Sequence, residues 1–176
     1  MTKLLYVGRL SPEKNISTLI HALKMVKNRN TTLTLVGDGE ERETLETLVL
    51  QLGLKNRVTF LKGRFDVNAV YQKHDALVLP SRHEGLGIVI LEAFSHNMPV
   101  IGSNVEGVAE LLSDGRGILF ECGNSDDLAK KITELQADKN KQRLLAKRGY
   151  DYVSKNHNIE NYAAQLFKLY NGSKAK

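Results

Sequence analysis

Two carboxylates eight positions apart, Glu84 and Glu92, bracket the chemically densest stretch of the chain, Pro80 to Phe94, which reads PSRHEGLGIVILEAF. A polar turn (Ser81, Arg82, His83, Glu84, Gly85, Leu86, Gly87) runs into an apolar helix (Ile88, Val89, Ile90, Leu91, Ala93, Phe94) that reads as a continuous buried run broken only by Glu92. A carboxylate on such a run is costly unless something satisfies it. If both acids lie on or near the helix, eight residues at ~1.5 Å each set them about 12 Å apart. That is the scale of a diphosphate flanked by two hydroxyl-bearing rings, as in a nucleotide sugar. Gly85 and Gly87 lie between, small enough to let an anion approach the N–H groups of a helix N-terminus. The stretch thus reads as hydroxyl acceptor, phosphate cradle, hydroxyl acceptor. A plainer reading stands beside it: an acid before a helix serves as a cap or N-terminal charge, and one within it pairs with a distant Lys or Arg.

Two cations complete the set. Arg9 and Lys14 share one loop after the first apolar run, and both can reach the same phosphates. A guanidinium forks onto phosphate oxygens, whereas an ammonium acts as a point charge. Solvated loop cations are the alternative. Asp38 also follows a strand, but the dinucleotide fingerprint needs G-x-G-x-x-G after the first strand, and this chain has Gly8-Arg-Leu-Ser-Pro-Glu. Asp38 therefore reads as a turn and cap residue. His74 and His83 have no partners at metal-ligand spacing, so no metal is expected. His74 reads as a helix-end residue, and His83 either lines the site or is simply exposed.

Positioning these residues requires alternating strands and helices. Apolar runs at Lys3 to Gly8, Thr32 to Gly37, Arg57 to Leu61, Ala76 to Leu79, Pro99 to Gly102 and Ile118 to Phe120 read as buried parallel strands. Helical periodicity appears from Ile16 (Leu19, Ile20, Leu23, Val26), over Glu40 to Leu52 (Leu45, Leu48, Val49, Leu52), over Asp66 to His74 and over Val108 to Leu112. Asn15 is placed to cap the first of these. From Asp126 the chain turns helical, with Leu128, Ile132 and Leu135 in one stripe. Leu144 and Leu145, then Tyr162, Leu166, Leu169 and Tyr170, suggest two more helices. The pattern predicts an α/β, Rossmann-like, three-layer α/β/α domain with a mainly parallel sheet, spanning 1–176 as one unit. Ligands of such sheets bind at the C-terminal ends of the strands, where Arg9, Lys14 and Glu84 fall.

Composition narrows the classes. A chain of 176 residues suits one domain. Its formal charge of +5 is dispersed and forms no basic stripe with exposed aromatics, so nucleic acid is not the expected partner. Cys122 is the lone cysteine, which excludes an intrachain disulfide and fits a cytosolic setting. No apolar run is long enough to span a membrane.

The chain resembles retaining glycosyltransferases of the GT-B fold, family 4, and looks like their C-terminal, donor-binding half. The resemblance runs from Leu4 to about Tyr170. It rests on ordered landmarks: Gly8-Arg9-Leu10 through Lys14, Val36-Gly37-Asp38-Gly39, Phe60-Leu61-Lys62-Gly63, the E-x7-E stretch, then Pro99-Val100-Ile101 and Glu106-Gly107. It implies a nucleotide-diphosphate sugar, such as a UDP-sugar, as donor, with no cofactor or metal. Arg9 and Lys14 would neutralise the diphosphate and Glu84 would hold the sugar hydroxyls, these three being the catalytic set. Glu92 would hold the ribose, the amides near Gly85, Leu86 and Gly87 the phosphates, and the loop Lys62, Gly63, Arg64 and Phe65 the base, with Gly8 beside the diphosphate. Asn104 and Glu106 are expected to approach the donor, and Glu110 is expected to be structural. Many members have two glycines where Glu106-Gly107 stands, so Glu106 departs from the family pattern.

It further implies transfer of a hexose to a glycan, lipid or protein acceptor, as in polysaccharide biosynthesis. An N-terminal acceptor domain, in cis or as a separate chain, would be needed for activity, and the whole enzyme could associate with a membrane surface. A GT-B phosphorylase or nucleotide-sugar epimerase would use the same cradle. A receiver-type regulatory module, the non-enzymatic alternative, would need acids where Gly8 and Arg9 stand.

Overall fold

The computed structural model describes residues 2–62 and 67–156. Strands and helices alternate: β1 (Lys3–Val7), α1 (Ile16–Met25), β2 (Thr32–Val36), α2 (Arg42–Gln51), β3 (Val58–Leu61), α3 (Val67–Gln72) and β4 (Ala76–Leu79). They continue as α4 (Ile88–Ser95), β5 (Val100–Ser103), α5 (Val108–Leu112), β6 (Ile118–Phe120), α6 (Ser125–Ala137) and α7 (Lys139–Asn156). A 3-10 turn, Pro12–Lys14, shapes the loop after β1.

The six strands form one parallel sheet in the order β3-β2-β1-β4-β5-β6. From β1 the chain builds outward to β3, then returns to β4 on the other side of β1. Right-handed crossovers therefore place α1 and α2 on one face and α4 and α5 on the other. α6 packs on α1 and α7 on α4, completing the expected three layers. This reversal opens a crevice between the loops that follow β1 and β4, the place where open α/β sheets take their ligands.

Every residue of β4 and β5 is buried, as central strands covered on both faces must be. With Leu4, Leu5, Leu33, Leu35 and Phe94 they form the core. Each fully buried Leu, Val, Ile or Phe among them contributes about 1.5–3 kcal/mol by leaving water.

The helix boundaries depart from expectation at informative places. Glu84 does not lie on α4, which starts four residues later, so the 12 Å axial spacing does not apply. The run from Ile88 is also not buried throughout: Ile90, Ala93 and Phe94 are, but Ile88 is 58 % exposed. An outer-layer helix buries one stripe against the sheet, and Ile88 falls off it. Leu144 is likewise exposed while its neighbours Leu145 and Ala146 face inward. The helix expected around Tyr162 to Tyr170 lies outside the described residues. Asn15 precedes α1 in the left-handed region, but its side chain makes no capping bond.

α4 is clamped from behind by α7, where Gly149 faces Phe94 across a gap with no room for a methyl group. A Cβ there would lie 2.3 Å from the Phe94 ring, which is fully buried and pinned edge-on by Tyr152. Gly149→Ala gains ~1 kcal/mol of helix propensity and loses ~1–3 kcal/mol to overpacking. The expected outcome is a net loss of about 1 kcal/mol, seen as a lower urea midpoint at unchanged slope. A raised midpoint would contradict the packing described.

Candidate functional site

The loops after β1 and β4 are built to meet. Tyr6, buried at the end of β1, donates its hydroxyl to the Arg9 carbonyl at 2.8 Å and so holds the start of the first loop. Burial raises the Tyr6 pKa, and the negative charge of Glu84 nearby adds to it, so the phenol stays a donor. The Arg82 backbone N–H donates to the Glu13 carbonyl at 2.8 Å, joining the loops directly. Beneath them the buried Ser103 hydroxyl donates to the Ser81 carbonyl, tying β5 to the turn.

The charged centre of this crevice is an ion pair. Lys14 Nζ lies 2.9 Å from Glu84 Oε2, and the Ser81 hydroxyl donates to the same oxygen at 3.3 Å. Both side chains are mostly covered, at 20 % and 15 % exposure. Lys14 has three donors and spends one on Glu84, leaving others for an anion. The cavity beside the pair, of about 360 Å³, is lined by Gly8, Arg9, Lys14, Glu84, Leu86 and Gly87, together with Ile88 and Val89. Gly87 precedes α4 as its N-cap, and the first helical bond runs from the Ile90 N–H to the Gly87 carbonyl at 2.8 Å. The N–H groups before Ile90 therefore belong to the uncompensated, partly positive end of α4, facing the same cavity. Two cations and a helix N-terminus around one hollow give it the charge that suits an anion.

Glu84 also borders a second cavity of about 360 Å³, shared with Arg82, His83, Gly85, Glu106 and Gly107. A carboxylate between an anion site and a polar hollow is placed to accept hydroxyl bonds from a group that follows the anion. Gly107 shows why one glycine of the pair expected here is retained. At φ +79° its Cβ would lie 2.5 Å from the Glu84 carbonyl oxygen, so a side chain would push the Glu84 loop away. Glu106 replaces the other glycine at an exposed position on the rim, where a side chain costs nothing.

The remaining candidates are placed as follows. Glu92 does not line the anion cavity; it sits one turn along α4 from Ile88 and accepts a bond from the Tyr71 hydroxyl at 2.9 Å. Gly85 belongs to the second cavity, not the first. Lys62 is exposed just beyond β3 and lines neither hollow, while Gly63, Arg64 and Phe65 lie outside the described residues. Asn104 lines a separate hollow with Cys122, Asp127 and Lys131, and neither of the two that Glu84 borders.

Asp38 is a turn residue, accepting from the Gly39 N–H at 3.0 Å, but the cap position of α2 belongs to Glu41. His74 bridges the end of α3 to Thr34 of β2, with 2.8 Å between Nε2 and Oγ1. His83 is exposed at the second cavity. Glu110 supports the α5 turn through its carbonyl, which accepts from Ser113 and Arg116, while its side chain is exposed.

Tyr71 escapes a reading of the sequence. It stands in a helix with no motif around it, and only its contact with Glu92 marks it. Among the described residues no cluster of three or more His, Cys, Asp or Glu can hold a metal, and no helix is long and apolar enough to cross a membrane.

Comparison with known proteins places this chain in a family. Residues 2–152 match the family described as "Glycosyl transferases group 1". The lipopolysaccharide core biosynthesis glycosyltransferase LpsE of Rhizobium meliloti (strain 1021) is 34 % identical over 146 residues, covering 82 % of this chain and 42 % of LpsE. Anabaena Alr3699/HepE, solved in complex with UDP, superposes with a TM-score of 0.89 at 29 % identity, over 97 % of this chain and 48 % of that one. The C-terminal domain of the group 1 family protein LpcC from Francisella tularensis superposes with a TM-score of 0.80 at 26 % identity, over 90 % of this chain and 87 % of that domain. This chain thus spans about half the length of the curated relatives it matches. Those relatives carry glycosyltransferase names, not those of phosphorylases, epimerases or regulatory modules. With residues 2–152 matched and its fold in common with solved glycosyltransferase structures, the chain belongs to the glycosyl transferases group 1 family.

Proposed function

We propose that this chain binds the nucleotide-diphosphate sugar in a retaining glycosyltransferase of family 4, and that a second, N-terminal half supplies the acceptor. The observation that carries this is the Lys14–Glu84 pair beside Arg9 at the N-terminus of α4. One hollow offers positive charge for a diphosphate and, at its edge, a carboxylate for hydroxyls. Arg9 and Lys14 hold the diphosphate, the amides from Leu86 to Val89 contact its oxygens, Glu84 accepts from the sugar hydroxyls in the second cavity, and Glu92 accepts from the ribose. UDP bound to HepE, which shares the fold, supports a nucleoside diphosphate as the ligand class.

As the bond from the anomeric carbon to the phosphate oxygen breaks, negative charge grows on the leaving diphosphate, where the two cations stabilise it. The acceptor hydroxyl attacks from the same face, and its proton passes to the departing phosphate oxygen. No side chain serves as a covalent nucleophile, and Glu84 and Glu92 do not act as a hydrolase acid/base pair. A glycan or lipid acceptor and a cytosolic setting complete this reading, supported by relatives in lipopolysaccharide core biosynthesis and by the single cysteine.

Calorimetric titration of the chain with UDP, GDP, ADP and their sugar conjugates tests the reading, with Glu92→Ala in parallel. Saturable binding of one nucleotide, weakened at least tenfold in the variant, is expected. The affinity should be unchanged by a chelator, because Arg9 and Lys14 supply the charge. No binding of any diphosphate at millimolar concentration would sink the reading, and affinity lost to the chelator would sink its metal-free form.

A further inference from the structure

Glu92 is partly buried on α4, and its nearest polar partner is not a cation. Tyr71, on α3, donates its hydroxyl to Glu92 Oε2 at 2.9 Å and approaches the Val89 carbonyl at 3.3 Å. Tyr71 is 1 % exposed, and its ring stacks on His96 with centroids 4.9 Å apart at 20°. His96 is fixed in turn: Nδ1 lies 2.8 Å from the Glu92 carbonyl and Nε2 lies 3.1 Å from Asn68 Oδ1. The phenol thus stands in a slot between two helices with its hydroxyl aimed at one carboxylate oxygen. Burial, then the neighbouring carboxylate, raises its pKa, so it always presents a proton.

A carboxylate has two oxygens and about four lone-pair directions. With Oε2 engaged, Glu92 cannot spin freely, and Oε1 keeps a set direction. Ile88 and Val89, one turn earlier on α4, line the anion cavity. Residues at i and i+4 share a helix face, so Glu92 stands about 6 Å further along the face where that cavity opens. In the donor-binding reading above, a nucleotide whose diphosphate sits at the N-terminus of α4 and whose nucleoside runs along this face would bring its ribose to this turn.

We propose that Tyr71 is the positioning residue that sets selectivity for ribose over deoxyribose, by clamping Glu92 Oε2 so that Oε1 meets the ribose hydroxyls. This rests on the donor-binding reading above. A carboxylate held in the direction of a diol discriminates against its absence, whereas a rotating one pays to become ordered and can turn to water instead.

The test compares affinities for UDP, GDP and ADP with those for their 2′-deoxy and 3′-deoxy forms, in the wild type, Tyr71→Phe, Glu92→Gln and the double variant. Melting curves check that each variant folds; Phe keeps the ring and its stacking. The wild type should prefer the ribonucleotide at least tenfold, and Tyr71→Phe should cut that ratio to about threefold or less. In the Glu92→Gln background, Tyr71→Phe should change the ratio no further. A Tyr71→Phe protein that keeps the full ratio overturns the role of Tyr71 while donor binding stands. Equal weakening for ribo and deoxy forms marks a structural effect and overturns it as well. If the wild type binds none of the diphosphates, the donor reading fails and takes this inference with it.

Discussion

Lys14→Met is expected to weaken nucleoside-diphosphate binding about 100-fold without unfolding the chain. Two effects act in the same direction. A charge-assisted bond from the ammonium to a phosphate oxygen contributes ~1.5–3 kcal/mol. In addition Glu84, 15 % exposed and 2.9 Å from Lys14 Nζ, keeps among the described residues only the Ser81 hydroxyl as a bonded partner and turns its unpaired negative charge on the incoming diphosphate. Together these come to ~3 kcal/mol, and each 1.4 kcal/mol is tenfold.

The second effect can be isolated, because Lys14→Met with Glu84→Gln removes the repelling charge. The double variant should bind the bare diphosphate more tightly than Lys14→Met alone, and raised salt should narrow the gap between them. Calorimetric affinities for the wild type, Lys14→Met, Glu84→Gln and the double variant decide it. Wild-type affinity in Lys14→Met would remove the diphosphate from this cavity. A double variant weaker than the single would show that Glu84 attracts the ligand more than it repels it.

Gly37→Ala is expected to carry the largest stability cost of any single methyl group considered. Gly37 directly follows β2 at φ +145°, and a Cβ there would lie 1.9 Å from the Gly8 carbonyl oxygen. That obstacle is backbone, and it cannot swing aside. Gly8 is bonded to the Val36 carbonyl through its N–H at 3.0 Å, and Gly37 to the Leu61 carbonyl in the same way at 3.0 Å. Relief of the clash therefore has to distort two neighbouring strand ends. The positive φ alone costs an L-residue ~1–3 kcal/mol, and displaced strand ends raise the total to about 3 kcal/mol or more. In a domain of this size each kcal/mol lowers Tm by ~2–4 °C, so a fall of about 10 °C is expected. Because Gly8 lines the anion cavity, nucleotide affinity should fall with stability. An alanine variant that melts with the wild type would mean that the two loops do not cross as closely as described.

Gly37 and Lys14 also mark how far local sequence carries. The strands were legible because a buried parallel strand must be a short aliphatic run, and β4, Ala76–Leu79, is nothing else. The meeting of Arg9, Lys14 and Glu84 around one cavity was legible because all three follow strands, at the end of the sheet where ligands bind. Glu92 was conspicuous as the single charge in an apolar helix, and its need for a partner could be stated in advance. The identity of that partner could not. Tyr71 lies 21 residues away on another helix and resembles any core tyrosine. The burial of α4 was misjudged at Ile88 for a related reason, since hydrophobicity shows that a helix packs but not which of its apolar residues face the site.

The sequence by itself determined the element types, the parallel sheet and the chemical groups brought to its C-terminal edge, because those follow from short-range sterics and from periodicities of two and 3.6 residues. Tertiary structure decided which groups meet. Lys14 and Glu84 are 70 residues apart, and they pair because β4 inserts beside β1 and not beside β3. Strand order is set by the summed packing of the whole core, to which no single segment holds the key. The ion pair, the Tyr71 clamp and the glycine crossing all depend on that choice.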